Sequence, residues 1–359
     1  MQKQSMIFTR GPMKGKIRKI IPALDITDLN QLKKLIKKIA DVDFVYGYKV
    51  GFTLGLTYGL PKIVDTIKSI SDKPIIYDHQ KAATDIPDTG KLFAKVMKDS
   101  GMDEVILFPQ AGPATLEGWV KALQDQHLKV IVGGIMTHPK FVVSEGGFIT
   151  DESISKIYSM SHSMGVHSFV VPLTKPDETY NLYEQAKLDD KCVFYSPGFG
   201  KQGGDEAEFG FLKTHYLIIG RSLLEADNPV EYIELVRKKI ATKKLMIVDD
   251  SSIIRRIIKR HVDDYHLEIV GEASNGETAL EIFRRKRPDI VTMDIVMPRL
   301  DGLSVIREMA KIDRDVKIIA VTSLADKATG IEAIKSGAKS FVIKPFSADK
   351  LQMAFSKFI

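Results

Sequence analysis

Ile75-Ile-Tyr-Asp78-His-Gln-Lys81-Ala-Ala-Thr-Asp85-Ile-Pro-Asp-Thr89 begins as a short apolar run and, where that run stops, sets one lysine among acids. A strand covered on both faces reads as continuous apolar sequence, and charge is tolerated only where the chain leaves the sheet. Outward from this stretch, from about residue 17 to 240, short apolar runs alternate with amphipathic stretches of helical period, the pattern of repeated βα units. Strands are predicted near 20–25, 44–50, 75–78, 104–108, 129–133, 166–171, 192–196 and 216–220. Eight such units imply an α/β chain whose first part is a (β/α)8 TIM barrel.

After a predicted helix at about 229–240, Ala241-Thr-Lys-Lys244 leads into a new apolar run, Leu245-Met-Ile-Val248, that ends in Asp249-Asp250. Alternating βα units fill the rest, predicting a flavodoxin-like, five-stranded, parallel, doubly wound second domain. The expected division is a flexible leader over 1–15, the barrel over 16–240, a short linker at 241–244 and the second domain over 245–359. The junction has no Gly/Ser/Pro-rich spacer, so the domains are expected to be held close.

The 359 residues, 44% hydrophobic and 27% charged, suit two soluble globular domains. A single cysteine, Cys192, excludes an intramolecular disulfide and a Cys-rich metal site, and fits a reducing compartment. No apolar run approaches the roughly 20 residues of a membrane span. The opening residues lack the apolar core of a signal peptide, so a cytoplasmic protein without membrane contact is expected. The net charge of +6 is spread over helical stretches such as Lys33-Lys34 and Lys37-Lys38. That reads as solvated helix faces rather than a nucleic-acid patch, and it also suits an anionic small substrate.

In a barrel of this kind the site is built where strands end, so polar residues there are the candidates. They are Asp25 after strand 1, Lys49 on strand 2, Asp78 and Lys81 after strand 3, and Thr137 in Met136-Thr137-His138-Pro139 after strand 5. Strand 7 runs into Ser196-Pro197-Gly198-Phe-Gly-Lys-Gln202-Gly-Gly, and strand 8 into Ile219-Gly220-Arg221-Ser222. Glycines let backbone N–H groups approach a ligand, Arg221 supplies a fork that matches phosphate oxygens, and Gln202 adds a neutral donor. The last two segments therefore predict a phosphate site. His138 reads as a turn residue, and His162, His167 and His215 show no ligand spacing and read as structural or surface residues. Trp119, the only tryptophan, is expected to anchor the helix after strand 4.

Over nearly all of the barrel these residues resemble the orotidine 5′-phosphate decarboxylase family. The resemblance rests on Ala23-Leu-Asp25, Lys49-Val-Gly51, the run from Asp78 through Lys81 and Asp85-Ile-Pro-Asp-Thr89, Ser196-Pro-Gly198 with Gln202-Gly-Gly, and Ile219-Gly-Arg221. It implies decarboxylation of orotidine 5′-monophosphate to uridine 5′-monophosphate, the last step of pyrimidine synthesis, with no metal and no organic cofactor. It further implies a charged network of Lys49, Asp78, Lys81 and Asp85. Asp25 and Lys49 would hold ribose hydroxyls, Thr137 the pyrimidine edge, and Pro197, Gly198, Gln202, Gly220 and Arg221 the phosphate end. The enzyme would be a homodimer, with Asp85 and Thr89 reaching the neighbouring subunit's site. The alternatives are a related hexulose-phosphate synthase or ketogulonate-phosphate decarboxylase, or a non-catalytic dimerising scaffold for a signalling domain.

One departure stands out. The family spacing is Asp-x-Lys-x-x-Asp, whereas here each gap is one residue longer, Asp78-x-x-Lys81-x-x-x-Asp85. Residues three apart on a strand point to opposite faces, so Asp78 and Lys81 converge only if the strand ends or bulges between them. Otherwise His79 takes the inward place beside Lys81.

In the second domain Asp249-Asp250, Asp294, Thr322 and Lys344 all fall at strand ends, on the edge where open α/β sheets bind ligands. Carboxylates gathered there repel one another unless a hard cation sits among them. The segment is similar to response-regulator receiver domains of the single-domain chemotaxis type. That resemblance implies phosphorylation of Asp294 by a histidine kinase, with Mg2+ held by Asp249, Asp250, Asp294 and the backbone of Val296. Thr322 and Lys344 would contact the phosphoryl group, and Phe341 stands at the family's aromatic switch position.

Overall fold

The structure is a computed structural model that describes residues 16–78, 82–200, 203–262, 267–297, 301–323 and 327–358. Its contacts divide the chain into two compact units. One extends through Asp205 and resumes over Leu212–Arg237; the other takes Glu206–Phe211 together with Lys238–Ile359.

The first unit holds eight strands, β1 (Ile17–Pro22), β2 (Tyr48–Gly51), β3 (Ile75–Asp78), β4 (Glu104–Leu107), β5 (Lys129–Gly133), β6 (Ser168–Val170), β7 (Val193–Pro197) and β8 (Thr214–Ile219). They pair in parallel in the order β1-β8-β7-β6-β5-β4-β3-β2. Parallel bridges Ile20–Val45 and Ala23–Lys49 bring β1 and β2 together and close the ring. This is the TIM barrel that the alternation predicts. Strand β1 begins about three residues before its predicted start, because its two basic residues are satisfied locally: Arg18 donates to Lys213 O at 3.1 Å and Lys19 to Asp43 O.

The helices follow elementary rules. In Leu29–Ile39, Asp28 caps the first turn by accepting from Asn30 N, and Leu32, Leu35, Ile36 and Ile39 form the buried stripe. Lys33, Lys34, Lys37 and Lys38 lie on the exposed face, and Lys37 and Lys38 complement the carbonyl end of the helix dipole. Inside the barrel Ile76, Ile106, Ile131, Val170 and Ile218 pack together. Towards the strands' N-terminal ends Glu104 is buried and accepts from Tyr46 Oη, Tyr195 Oη at 3.1 Å and Lys129 Nζ at 3.2 Å. Burial and the Glu104 charge push the Tyr46 and Tyr195 phenols well above their ordinary range, so both stay protonated donors.

The second unit contains β9 (Lys244–Val248), β10 (Glu268–Ala273), β11 (Ile290–Asp294), β12 (Lys317–Thr322) and β13 (Ser340–Ile343), all parallel, in the order β10-β9-β11-β12-β13. This is the doubly wound, flavodoxin-like arrangement predicted, with the order reversing beside β9. A sequence-based boundary at residue 240 assigns Glu206–Phe211 to the barrel, yet this segment packs in the second unit. There Glu206 and Lys244 form an ion pair at 2.9 Å with side chains only 4% and 6% exposed. Phe211 N donates to Arg285 O at 3.0 Å, and Phe209 is fully buried. A Cβ on Gly210 would lie 1.6 Å from Lys286 O, so only glycine fits.

Candidate functional site

The strand ends of the barrel open into a cavity of about 240 Å³. Asp25, Lys49, Asp78, Thr137, Pro197, Gly198, Gly220 and Arg221, all singled out by the sequence, line it together. Its apolar wall is made by Ile106, Phe108, Ile135 and Met136, and Ser222 stands beside Arg221. These residues escaped the sequence reading because it weighed polar groups at strand ends, and apolar ones there look like ordinary core.

At one end of the cavity Lys49 Nζ and Asp78 Oδ2 pair at 2.8 Å, with side chains 11% and 10% exposed. The pair forms because Lys49 on β2 and Asp78 at the end of β3 belong to hydrogen-bonded neighbours, with Gly51 opposite Asp78 in register. Burial alone would lower the Lys49 pKa, but the charges of Asp78 and Asp25 and the bond to Asp78 outweigh it and hold the ammonium above its usual range. Next to Asp78, burial and its negative charge push the Tyr77 phenol up to about 12. Asp25 reaches the same place from the β1 loop, within 3.6 Å of where a Cβ would stand on Gly51 or Gly220. Among the described residues the second Asp78 oxygen, Oδ1, is buried without a hydrogen-bond partner.

At the other end the β7 loop folds on itself through Gly204 N to Gly198 O at 3.0 Å and Gly203 N to Gly200 O at 2.9 Å. Gly200 has φ +81°, and a Cβ there would come within 2.7 Å of Ser222 Oγ. Glycine is thus required both by the backbone and by the close approach of the β8 loop, which carries Arg221. The result is a rim at which the Arg221 guanidinium supplies the donors that suit an anion.

Lys81, His79 and Gln202 lie outside the described residues. Strand β3 does end at Asp78, immediately before the lysine segment, and Ala83 has φ 66°, a left-handed conformation uncommon for a residue with a Cβ. Asp85 and Thr89 do not line the cavity; Asp85 is exposed, and Thr89 donates to Ile86 O at 2.7 Å. Their loop is pinned from behind by Trp119, whose Nε1 donates to Ile86 O at 3.0 Å, and by Thr115, whose Oγ1 donates to Asp85 O at 2.8 Å. Trp119 therefore anchors more than its own helix. His138 sits in an exposed turn, and His215 is a buried core residue within 2.7 Å of Ser196 Oγ.

In the second unit Asp249, Asp250 and Asp294 offer carboxylate oxygens within 4.8 Å of one another. Lys344 Nζ pairs with Asp249 at 2.7 Å and Asp294 at 2.8 Å. Burial pushes Asp294 above the usual carboxylate range, opposed by Lys344 and reinforced by Asp249. For Lys344, burial lowers the pKa, but the bonds and charges of both acids outweigh it and raise it. Val296 N donates to Asp294 Oδ1 at 3.1 Å, and Thr322 is buried at the end of β12 with its carbonyl accepting from Lys344 N at 2.7 Å. Phe341 is 41% exposed and lies against Gly330. The cluster is an all-oxygen donor set that fits a hard divalent cation such as Mg2+.

Comparison with known proteins agrees with both halves. The profile of the orotidine 5′-phosphate decarboxylase / HUMPS family matches residues 18–236, and that of the response regulator receiver domain matches 245–356. The orotidine 5′-monophosphate decarboxylase of Methanocaldococcus jannaschii, solved with the inhibitor BMP, is similar at 27% identity and TM-score 0.55, covering 63% of this chain and 100% of that one. The Pyrococcus horikoshii OT3 orotidine 5′-phosphate decarboxylase is similar at 26% identity and TM-score 0.52, covering 62% and 98%. The chemotaxis protein CheY of Thermotoga maritima is 43% identical over 115 residues, 32% of this chain and 96% of its own length. Bacillus subtilis CheY is 40% identical over 114 residues, 32% and 95%.

Proposed function

The chain belongs to the orotidine 5′-phosphate decarboxylase / HUMPS family and carries a receiver domain, and from that premise we propose that its barrel converts orotidine 5′-monophosphate to uridine 5′-monophosphate and CO2. The observation that carries this reading is the buried Lys49–Asp78 pair, with Asp25 beside it, across one cavity from the Arg221 rim. Breaking the bond between the ring and its carboxylate leaves an electron pair on carbon with no adjacent sink, so fixed cations must stabilise it. Lys81, four-square between acids in the sequence, would hold that charge and then deliver its proton to the same carbon. Asp78, with one oxygen bonded to Lys49, would keep the lysine pair charged and lie against the substrate carboxylate. Asp25 and Lys49 would take the ribose hydroxyls, Thr137 the pyrimidine edge, and Gln202 and Arg221 the phosphate. Binding of that remote phosphate supplies energy to hold the reacting end in place. The chemistry as read draws on protein side chains alone.

Asp85 and Thr89 would complete the site of a second copy. Exposed apolar residues on the elements after β2 and β3, Phe52, Leu56, Ile86, Leu92 and Val96, support a dimer through this side of the barrel. The receiver would accept a phosphoryl group on Asp294 from a histidine kinase. Asp249, Asp250, Asp294 and the Val296 backbone would hold Mg2+, which neutralises charge during transfer, and Thr322 and Lys344 would contact the phosphoryl oxygens, with Phe341 responding.

Turnover of orotidine 5′-monophosphate by purified protein tests the first half. Activity should survive EDTA and be lost in Lys81→Ala; full activity in that variant would refute the assignment, and loss with EDTA would favour a metal-dependent relative. Mixing Lys81→Ala with Asp85→Ala protein should restore activity through hybrid dimers, and no restoration after confirmed subunit exchange would remove the shared site. Acetyl phosphate labelling that persists in Asp294→Asn would refute the phosphoacceptor.

A further inference from the structure

At the opposite ends of the barrel strands from the substrate cavity, His162, His167, Asp189 and Cys192 bring four potential ligand atoms within 4.8 Å of one another. Their sequence spacing conceals this, because two separate connections deliver them. His162 lies in the last turn of helix Asp151–Ser163, and Gly165 at φ 82° turns the chain back so that His167 immediately precedes β6. Asp189 and Cys192 form the turn before β7, closed by Cys192 N to Asp189 O at 3.0 Å. Because β6 and β7 are parallel neighbours with Ser168 opposite Val193, and Val193 N donates to His167 O at 2.8 Å, the residues just before each strand are side by side.

We propose that this cluster is a structural site for a divalent transition metal, zinc above all, with His162, His167, Asp189 and Cys192 as its four ligands. The donor set is two imidazoles, one carboxylate and one thiol, the combination that zinc takes in tetrahedral geometry and that magnesium and calcium do not. Cys192 Sγ lies 4.0 Å from His162 Nε2 and 3.6 Å from Asp189 Oδ1. Ideal zinc bond lengths place tetrahedral sulfur, nitrogen and oxygen ligands about 3.3–3.7 Å apart, so the site closes through side-chain rotations that bring together atoms now within 4.8 Å of one another. The two imidazole rings stand edge to face with centroids 5.3 Å apart. Asp189 Oδ1 also accepts from Lys191 N at 3.0 Å, which orients the carboxylate as supporting bonds commonly do around metals. Cys192 is fully buried whereas His167 is exposed, so the ion would have an entry path and a dry inner side.

Such a metal would tie the end of one outer helix to the starts of two barrel strands. That face of a TIM barrel serves stability, which separates this role from the substrate chemistry.

Cobalt(II) titration of the metal-free full-length protein tests the proposal. The chain has one cysteine, so a thiolate-to-cobalt charge-transfer band in the near ultraviolet can arise only at Cys192. One equivalent of cobalt giving that band, displaced by zinc and retained in Asp250→Asn, is expected. Cys192→Ser should abolish the band. His167→Gln, an exposed change that keeps the fold, should weaken zinc binding by more than the roughly 10–100-fold typical of losing a supporting partner. Zinc should raise the barrel melting temperature, followed by Trp119 fluorescence, in the parent protein and not in His167→Gln. Absence of the band at millimolar cobalt, or metal binding that disappears entirely in Asp250→Asn, would overturn the site and leave a hydrogen-bonded cap.

Discussion

Replacing Lys49 by alanine removes one half of a pair whose side chains are 11% and 10% exposed and whose atoms meet at 2.8 Å. The loss is dominated by the carboxylate left behind: Asp78 would keep a buried charge with Oδ1 already lacking a partner among the described residues. Stranding one member of a buried pair costs about 3–5 kcal/mol, which raises the unfolding constant by roughly two to four orders of magnitude. Urea denaturation followed through the single tryptophan isolates the effect, since Trp119 is 5% exposed in the barrel unit and the other unit contains none. The pH dependence follows from the raised pKa of Lys49. A lysine whose folded value lies above its unfolded value contributes stability fully below about pH 10.4 and loses it as pH rises through the folded value. The deficit of Lys49→Ala should therefore be complete at neutral pH and shrink only under strongly alkaline conditions. Lys49→Met combined with Asp78→Leu removes both charges and should recover most of the stability without activity. A single variant shifted by less than about 1 kcal/mol, or a double variant as unstable as the single, would refute the reasoning.

Three further outcomes are expected. Arg221→Ala should lower kcat/KM for a phosphorylated nucleotide by about 10–150-fold, the equivalent of a charge-assisted hydrogen bond of roughly 1.5–3 kcal/mol, and should affect an unphosphorylated nucleoside much less; equal losses on both would count against a phosphate role. Gly302→Val would put a Cβ 2.1 Å from Asp294 O, and steady-state labelling by acetyl phosphate should fall sharply, with wild-type labelling contradicting the close approach. Asp294→Asn should stabilise the second unit near neutral pH, because a carboxyl raised by burial binds its proton more tightly when folded and costs stability once ionised. That gain should fade as pH falls through the folded value of Asp294 towards the unfolded carboxylate value, and melting curves across the acidic range would show it.

Where one chain segment carries its own signal, the sequence was readable. Apolar runs ending in Asp25, Lys49, Asp78 and Arg221 announced both the barrel and the cavity that these residues line, because strand ends are where charge escapes a covered sheet. The three acids and Lys344 of the second unit were legible for the same reason. Apolar cavity residues such as Phe108 and Met136 carried no distinguishing mark, since a wall of a site and a wall of a core have the same composition. The grouping of His162, His167, Asp189 and Cys192 depends on the register of β6 against β7, which no local spacing encodes. Strand β1 starts early because carbonyls outside it satisfy Arg18 and Lys19, a tertiary effect that overrides their charge.

The six residues Glu206–Phe211 make the second unit discontinuous in sequence, so its covalent boundary and its physical boundary are different things. A fragment that starts at residue 243 would contain every strand of the five-stranded sheet and the whole carboxylate cluster, yet lack Glu206, the partner of its own buried Lys244. A stranded buried ammonium costs about as much as a stranded carboxylate, roughly 3–5 kcal/mol, a large share of what a small domain has. The second unit is therefore expected to fold to full stability only when a loop emitted between two barrel strands, β7 and β8, is supplied in the same chain.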